Sequence, residues 1–345
     1  MPGGRGRSHK RILTIFVIIT LYICEKGRFI LSKAKVISMM NWKGGVGKTT
    51  ITHHLGTGLH MLSQEERVKY LHSEKTPRIL FVDNDAQCNL SISCLHVEKY
   101  EDLVYKYHYK TIHDLYKLFI CNEAPAVDVH DYILKNQVRM DAKKIFMGMD
   151  LLPAHQEMAY LDLNIAMNNR ANFESGLMSK EIYKYQYLDH ILEPLWGEYD
   201  FIFIDCPPNL GYTTMNALYA SEYCLIPTGL DHLSSYGIAS LLKEVDRLNT
   251  EFATAVPNHP MIEVVGIVAN NVDENRQEPK RSQKLIRERL QENYHELMFK
   301  SYLTRGDGIT SASEQGCPVY AERSGNAGKQ GELLMNIVRE FLERI

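Results

Sequence analysis

The sequence predicts a doubly wound α/β fold built on a mostly parallel sheet. Short apolar segments alternate with helical ones from about residue 35 onwards, and each apolar segment is hydrophobic on consecutive residues. Strands covered on both faces have this pattern, and β–α alternation produces parallel sheets with helices on both sides. No internal repeat and no Pro- or Ser-rich linker divides the 345 residues. We therefore expect a single domain with insertions.

Six strands are expected in chain order, namely Val36–Met40, Ile79–Val82, Met149–Leu152, Phe201–Ile204, Tyr223–Pro227 and Val264–Ala269. The expected helices are Thr49–Leu62, Gln156–Met167, Lys180–Leu195, Thr213–Ala220, Tyr236–Asn249, Pro279–Tyr294 and Gly331–Ile345. Two polar stretches, Ser63–Pro77 and Glu98–Asp141, are expected to be excursions on the surface. Doubly wound sheets bind their ligands at the carboxyl ends of the strands, so the functional residues are expected there.

The charge is unevenly distributed along the chain. Residues 1–33 contain seven Lys and Arg and one acidic residue, whereas the remaining 312 residues contain 32 basic and 41 acidic residues, a net charge of −9. A body this acidic does not attract nucleic acid through its bulk charge, so any DNA contact needs a local basic patch. The seven cysteines include no C-x-x-C pair, so neither a disulfide framework nor a zinc site is expected.

Residues 1–33 are interpreted as an extension that precedes a domain over residues 34–345. A 13-residue apolar run, Ile12–Cys24, follows four basic residues there. It is shorter than the roughly 20 residues of a membrane-spanning helix, and no small-residue cleavage site follows it. We expect the extension to be disordered or to precede the true start, with Leu31 as a non-standard start. A membrane anchor and an export signal are the alternatives.

The loop after the first expected strand is rich in glycine. Residues 41–50 read Asn-Trp-Lys-Gly-Gly-Val-Gly-Lys-Thr-Thr and open the first expected helix. Glycines allow such a loop to turn tightly and present N–H groups to phosphate, and the helix N-terminus adds its positive dipole end. Lys48 can reach the β- and γ-phosphates, and the Thr49 hydroxyl can ligate Mg²⁺. The sequence therefore predicts a nucleoside-triphosphate site formed by Lys43, Gly44, Gly45, Val46, Gly47, Lys48, Thr49 and Thr50.

Acidic residues follow two of the other expected strands. Asp83 and Asp85 come directly after one strand, and Asp205 comes directly after another. A buried strand that delivers one carboxylate towards the glycine loop is typical of a Mg²⁺ site, which predicts Asp205 as a metal ligand together with Thr49. For the first pair alone, a helix cap or a solvated turn is the alternative. Cys206 is interpreted as a packing residue.

The glycine loop departs from the usual G-x-x-x-x-G-K-[ST] pattern, because Trp42 stands at the first glycine position and Lys43 follows it. The string Lys-Gly-Gly-Val-Gly-Lys-Thr resembles the deviant P-loop of the ParA/MinD superfamily of ATPases. Residues 83–87, Asp-Asn-Asp-Ala-Gln, and residues 205–208, Asp-Cys-Pro-Pro, are similar to the family's other two nucleotide motifs, the latter to those of its ParA (Soj-like) branch. The resemblance runs from about residue 35 to residue 345.

The resemblance implies a P-loop NTPase fold and an ATPase that uses ATP and Mg²⁺ with weak intrinsic activity. It implies that Lys43 reaches across a dimer interface to the partner's nucleotide and that Asp85 orients the attacking water. Asp83 would support the magnesium shell. Asn270, at the end of a later strand, would contact the base, with a capping or turn role as the other interpretation.

The function implied by the resemblance is that of a partition or positioning ATPase. ATP would close a homodimer that binds DNA without sequence preference, and a ParB-like adaptor would stimulate hydrolysis, so that DNA is segregated or a cellular cargo is positioned. The chain would be cytoplasmic and nucleoid-associated. Basic residues that could contact DNA phosphates crowd one expected helix, with a solvated helix face as the alternative; they are Lys280, Arg281, Lys284 and Arg287.

Other members of the same superfamily provide the alternatives. A MinD-like membrane-cycling ATPase usually ends in a basic amphipathic helix, but residues 338–345 are charge-balanced, so membrane binding is not expected. A tyrosine kinase of this superfamily would end in a tyrosine cluster, whereas the last tyrosine here is Tyr320. An iron–sulfur carrier would need paired cysteines. The sequence does not indicate which cargo is moved.

Overall fold

The computed structural model describes residues 33–121, 127–168, 181–321 and 325–345. The interpretation of the N-terminal extension therefore lies outside the described residues, apart from Lys33. In the described ranges, none of the helices has both the length and the apolar character that crossing a membrane requires.

The centre of the structure is a seven-stranded sheet in which every neighbouring pair of strands is parallel. Its order is β3-β2-β4-β1-β5-β6-β9, and a two-residue ladder, β7 with β8, stands apart. The doubly wound α/β class is confirmed. The strands are β1 Lys35–Met39, β2 Ile79–Asp83, β3 Met149–Leu152, β4 Phe201–Asp205, β5 Tyr223–Gly229, β6 Glu263–Val272, β7 Glu274–Asn275, β8 Glu278–Pro279 and β9 Met298–Thr304.

Twelve α-helices flank this sheet within the described residues. They are α1 Lys48–Met61, α2 Gln64–Leu71, α3 Asn89–Leu95, α4 Val97–Glu101, α5 Ile112–Ile120, α6 Leu161–Met167, α7 Tyr187–Leu192, α8 Tyr212–Tyr219, α9 His232–Ala255, α10 Arg281–Asn293, α11 Asp307–Glu314 and α12 Gly325–Leu342. All six expected strands are present with ends shifted by a few residues. Helix α1 leaves the glycine loop and buries Ile51, Leu55 and Leu59.

The long helix expected over Lys180–Leu195 is wrong. The described part of this stretch contains a 3₁₀ turn, Ile182–Tyr185, then the short helix α7 and a second 3₁₀ turn that contains Pro194. In an unbroken helix Leu188 N–H would donate to the Lys184 carbonyl. Instead the Asn216 side chain lies between them, accepting from Leu188 N at 3.1 Å and donating to Lys184 O at 2.7 Å. A tertiary contact therefore replaces the helical bond. Similarly, the stretch Gln156–Met167 begins as a 3₁₀ turn before α6.

One strand of the sheet was not expected from the sequence. Strand β9 lies at the edge beside β6, and its burial is interrupted by exposed Lys300 and half-buried Ser301. An edge strand is not covered on all sides, so it lacks the continuous hydrophobicity of its neighbours.

The longer polar stretch is not the surface excursion that was expected. Tyr100 and Tyr116 are buried in the main core, and the Tyr116 hydroxyl donates to Asn84 Oδ1 at 3.2 Å. Leu134 forms an antiparallel bridge with Leu151 on the outer edge of β3. The segment therefore covers one edge of the sheet. The shorter stretch does contain a surface helix, since α2 has no buried residue.

Two helical glycines provide a matched test of packing. A Cβ added at Gly56 in α1 would lie 2.4 Å from the Phe81 ring, whereas one added at Gly237 in α9 would meet nothing within 4 Å. We expect Gly56→Ala to lower the free energy of unfolding by about 1–3 kcal/mol through overpacking. Gly237→Ala should raise it by about 0.5–1 kcal/mol through helix propensity. Urea unfolding of both variants checks this, and equal effects would contradict the packing at Gly56.

Candidate functional site

The glycine loop connects β1 to α1 at the carboxyl edge of the sheet. Gly45 has φ +73° and Gly47 has φ +88°, both in the left-handed region that favours glycine. A Cβ at Gly47 would lie 1.9 Å from the Asn270 side-chain nitrogen. A larger residue at position 47 would therefore be strained by its backbone and would clash with β6. Backbone conformation and packing therefore both explain why position 47 is a glycine.

Side-chain amides hold the loop in shape. Asn41 donates to the Pro227 carbonyl at 2.8 Å and accepts from Lys43 N at 2.9 Å. Asn270 donates to the Val46 carbonyl at 2.8 Å. The Asn270 amide therefore supports the loop, and its contact with a base stays a prediction. These bonds from residues at the strand ends hold the loop in its conformation.

The loop lysine, Lys48, is buried under the loop. Its ammonium group donates to the carbonyl of Asn41 at 3.1 Å and lies 3.5 Å from that of Lys43. Burial lowers the pKa of Lys48, and the nearby Asp205 carboxylate opposes this shift. The cation thus lies between the loop carbonyls and the acidic strand ends, where it can contact a phosphate.

The strand-end carboxylates lie side by side. Register pairs Asp83 of β2 with Asp205 of β4, and both side chains are fully buried. Asp205 accepts from the Thr49 hydroxyl at 2.5 Å, and Asp83 accepts from Ser91 N at 2.8 Å and Ser91 Oγ at 2.7 Å. The structure therefore brings the predicted metal residues Thr49 and Asp205 into contact and places Asp83 beside Asp205 on the neighbouring strand.

These acids are hard to ionise in the free protein. Burial, strengthened by the neighbouring Asp83, raises the pKa of Asp205 to about 8. Burial likewise raises the pKa of Asp83 to about 7, although Ser91 opposes the shift. Asp85, which is 7% exposed and accepts from Gln87 N at 3.0 Å, also has a raised pKa because of burial. A cation would stabilise all three carboxylates.

A cleft of about 540 Å³ is lined by the glycine loop and, among the strand-end acids, by Asp85. It is also lined by residues that the sequence did not indicate, including Thr304 at the end of β9 and Arg305 and Gly306 after it. Gln330 supports this end, since its amide donates to the Thr304 carbonyl at 2.8 Å and accepts from Ile309 N at 3.0 Å. The expected last helix began at Gly331, so Gln330 fell just outside it. The cleft therefore joins the glycine loop to residues around the end of β9.

Lys43 lies beside the cleft, in a neighbouring pocket that shares Gly44 and Gly45 with it, and is held within its own chain. Its ammonium donates to Asp231 at 2.8 Å and to Ser234 Oγ at 3.0 Å. Asp231 also caps α9 by accepting from Ser234 N at 2.9 Å. Although burial opposes it, these bonds from Lys43 and Ser234 lower the pKa of Asp231 to about 2. No sequence pattern marked Asp231, because its partner is 188 residues away.

The basic residues expected to contact DNA are largely engaged with other groups. Lys280 lies 3.8 Å from Asp273 and caps α10 instead of lying inside it, and Lys284 lies 3.3 Å from Glu278. Arg287 donates to a backbone carbonyl at 2.6 Å. These acids weaken the positive field of the patch, which also contains Arg281.

The sheet, the glycine loop and the strand-end carboxylates together define a P-loop nucleoside triphosphatase fold. Residues 34–257 match a protein family described as AAA domain, and the chain belongs to this family.

Relatives extend along nearly the whole chain. The chain is 30% identical over 312 residues to an uncharacterized protein of Mycobacterium tuberculosis, which covers 89% of this chain and 80% of that protein. It is 27% identical to the sporulation initiation inhibitor protein Soj of Bacillus subtilis, covering 89% and 97% of the two chains. It is 23% identical to the chromosome partitioning protein ParA of Caulobacter vibrioides, covering 90% and 94%. The chain is therefore a member of the ParA/MinD superfamily, as the glycine loop predicted.

Solved structures show the same fold at low sequence identity. A McdA–ATP complex of Cyanothece has a TM-score of 0.66 at 17% identity, covering 91% of this chain and 98% of that one. A plasmid partition protein of Borrelia burgdorferi gives 0.59 at 20% identity, covering 91% and 100%. Cobyrinic acid a,c-diamide synthase of Mycobacterium smegmatis, with a bound ATP analog and magnesium, gives 0.55 at 22%, covering 87% and 92%.

The raised carboxylate pKa values predict how Mg²⁺ binding depends on pH. An unfolded Asp titrates near about 3.9, so the folded chain holds protons on Asp205 and Asp83 up to a pH of about 7–8. Stability without metal therefore falls as pH rises from about 3.9 to about 7–8, because unfolding in this range releases protons that the folded chain retains, and it levels off at higher pH. Mg²⁺ must displace these protons, so its affinity should rise from about pH 6 to about pH 9.

Melting temperatures with and without Mg²⁺ across this range measure the effect. The stabilisation by Mg²⁺ should grow with pH in the wild-type chain. Asp205→Asn keeps the shape of the side chain but removes its ionisation, so the pH dependence should shrink to the part that comes from Asp83. A stabilisation by Mg²⁺ that is constant with pH in the wild type would contradict the assignment.

Proposed function

We propose that this chain is a partition or positioning ATPase that cycles between a single chain and an ATP-bound homodimer. The observation that carries the proposal is the second lysine of the glycine loop, Lys43, which lies in a pocket adjoining the cleft that Lys48 and Asp85 line. The names of two relatives, a chromosome partitioning protein and a sporulation initiation inhibitor, support a role of this kind.

The residues present fit ATP and Mg²⁺. The loop at Gly47 has no room for a Cβ. Asp205 is fully buried and has a raised pKa, and no positive side chain is bonded to it in the described residues. The phosphates would be held by residues 43–50, and the metal by Thr49 and Asp205, with Asp83 beside Asp205. When bound, magnesium would supply charge neutralisation for the transferred phosphoryl group.

Hydrolysis needs a water molecule held in line with the γ-phosphate more than it needs a strong base. Asp85 lines the cleft together with the loop. Its backbone N–H donates to Asp83 Oδ1, and its side chain accepts from Gln87 N. We assign Asp85 to orienting this water. Because one Asp85 oxygen already accepts from Gln87 N, the other is the group available to the water.

Dimerisation would require Lys43 to leave Asp231 and Ser234 and turn to a partner's nucleotide. In the single chain its charge is already neutralised by Asp231. An isolated chain therefore lacks a free cation at this point for stabilising charge on the phosphates. The weak intrinsic activity expected for this superfamily follows from that arrangement.

The DNA and adaptor steps are the remaining parts of the proposal. The dimer would bind DNA non-specifically through basic residues, and a ParB-like adaptor would stimulate hydrolysis and release. A membrane-cycling role has less support, because the last helix packs its apolar face on the core. Phe341 is fully buried, and Arg344 donates to Glu340 and to the Met298 carbonyl. This leaves little apolar surface on the helix for lipid.

Substitution of the two loop lysines should have different effects. Lys43→Ala should keep the fold but lose ATP-dependent dimerisation and hydrolysis, because the cation that crosses the interface is gone. Lys48→Ala should mainly weaken nucleotide binding. Light scattering with ATP measures the dimer, and nucleotide titration measures binding.

Asp231→Asn serves as the control, since an amide can still cap α9 while its hold on Lys43 is weaker. This variant should still dimerise with ATP. A normal dimer in Lys43→Ala would disprove the interface role of Lys43.

Substitution of Asp85 should separate hydrolysis from binding. Asp85→Ala should lower the ATPase rate by a factor of about 100 or more while nucleotide affinity stays close to that of the wild type. The variant should accumulate as an ATP-bound dimer on non-specific DNA, with binding that weakens steeply as salt increases. ATPase assays and DNA retention at two salt concentrations test this. Normal hydrolysis would rule out the Asp85 role, and a trapped dimer without DNA affinity would favour the membrane-cycling alternative.

A further inference from the structure

Away from the nucleotide cleft, three metal-ligating side chains converge where the polar insertion meets the end of β3. They are His113 in the first turn of α5, and His155 and Glu157 in the segment that follows β3. One potential ligand atom from each lies within 4.8 Å of the other two. Within the described part of the chain, no other group of His, Cys, Asp and Glu side chains meets this condition.

The backbone around these residues is held firmly. The Ile112 N–H donates to the Pro153 carbonyl at 2.9 Å, which joins the start of α5 to the exit of β3. The Ala154 N–H donates to Ser91 Oγ at 3.1 Å, and the Ala154 carbonyl accepts from the Tyr100 hydroxyl at 3.1 Å. The three side chains therefore extend from fixed points, as a preformed site requires.

The imidazoles are arranged and charged in a way that suits metal binding. The rings of His113 and His155 are stacked, with centroids 5.8 Å apart and planes 13° apart. His113 is 3% exposed, and burial lowers its pKa, so the ring is neutral near pH 7. A metal ligand must be a neutral imidazole or an ionised carboxylate. The bond from Lys117 lowers the pKa of Glu157, which keeps that carboxylate ionised.

We propose that His113, His155 and Glu157 bind one divalent transition-metal ion, with zinc as the expected occupant. Two imidazoles and one carboxylate are a ligand set that zinc accepts, with water completing the tetrahedron. Mg²⁺ and Ca²⁺ prefer all-oxygen ligands and are not expected here. The proposal is independent of the cysteines and of the nucleotide chemistry.

Two contacts in the free protein compete with the ion. The Lys117 ammonium lies 3.3 Å from Glu157 Oε2, and His155 Nδ1 accepts from Glu157 N at 3.1 Å. Zinc binding displaces the lysine from Glu157. It also breaks the bond to His155 if that histidine binds the ion through Nδ1. Affinity is therefore weaker than at a closed structural zinc site, and removing the lysine strengthens it.

The test is zinc binding to the untagged full chain with excess Mg²⁺ present to fill the nucleotide site. Competition with a chromophoric chelator gives the affinity, and Co²⁺ substituted for zinc reports imidazole and carboxylate ligation through its visible absorption. The wild-type chain should bind about one zinc ion at this site. Glu157→Gln and His155→Asn should each weaken binding by about tenfold or more, and Lys117→Met should tighten it.

The variants are chosen so that misfolding cannot explain the result. Glu157 is exposed, so its substitution leaves the core intact, and asparagine at position 155 can still accept the bond from Glu157 N. His130→Asn is the matched control. His130 contacts two acids, Asp128 and Glu198, but through different ring nitrogens. These side chains therefore do not converge on one point, and the variant should bind zinc as the wild type does. Absence of zinc binding, or equal affinity in the wild type and Glu157→Gln, would overturn the proposal.

Discussion

Three carboxylates at the ends of two neighbouring strands are almost completely buried, and the rest of the site depends on how their charges are neutralised. Strand register places Asp83 beside Asp205, and Asp85 follows in the same turn. Burying like charges together costs free energy unless something neutralises them. The chain supplies part of this through the hydroxyls of Thr49 and Ser91. The remainder has to come from cations, and the loop lysine and an open cleft lie where those cations are needed.

Much of this site could be predicted because its signals are local in sequence. The glycine loop needs particular residue types at fixed spacing, and central strands carry continuous apolar runs because both faces are covered. The parts that could not be predicted depend on partners distant in the chain. Asp231 holds a lysine 188 residues away, Asn216 replaces a helical bond 28 residues away, and Gln330 supports a loop 26 residues away. Strand β9 was missed because an edge strand lacks the pattern of a buried one.

Ion pairing within the chain also limits what the basic residues are free to bind. Read from the sequence, Lys43, Lys280 and Lys284 are free cations, but in the structure each faces an acid of its own chain. Each of these ion pairs is partly exposed, so each contributes little to stability. Their main effect is to make these lysines less available, because an anionic partner must compete with an internal carboxylate for each of them. Lys48 differs, since it rests on neutral carbonyls and has no carboxylate bonded to it in the described residues.

The two margins of the sheet are closed by different means. At β3 the polar insertion crosses the outer edge and pairs Leu134 with Leu151, whereas β9 at the opposite margin carries exposed Lys300. Unpaired strand edges readily join those of other molecules, and a covering segment or an edge lysine prevents this. A parallel sheet protected in this way resists edge-to-edge aggregation when the protein is concentrated. In the proposed ATP-bound homodimer, two copies would then meet through their nucleotide faces without fusing their sheets.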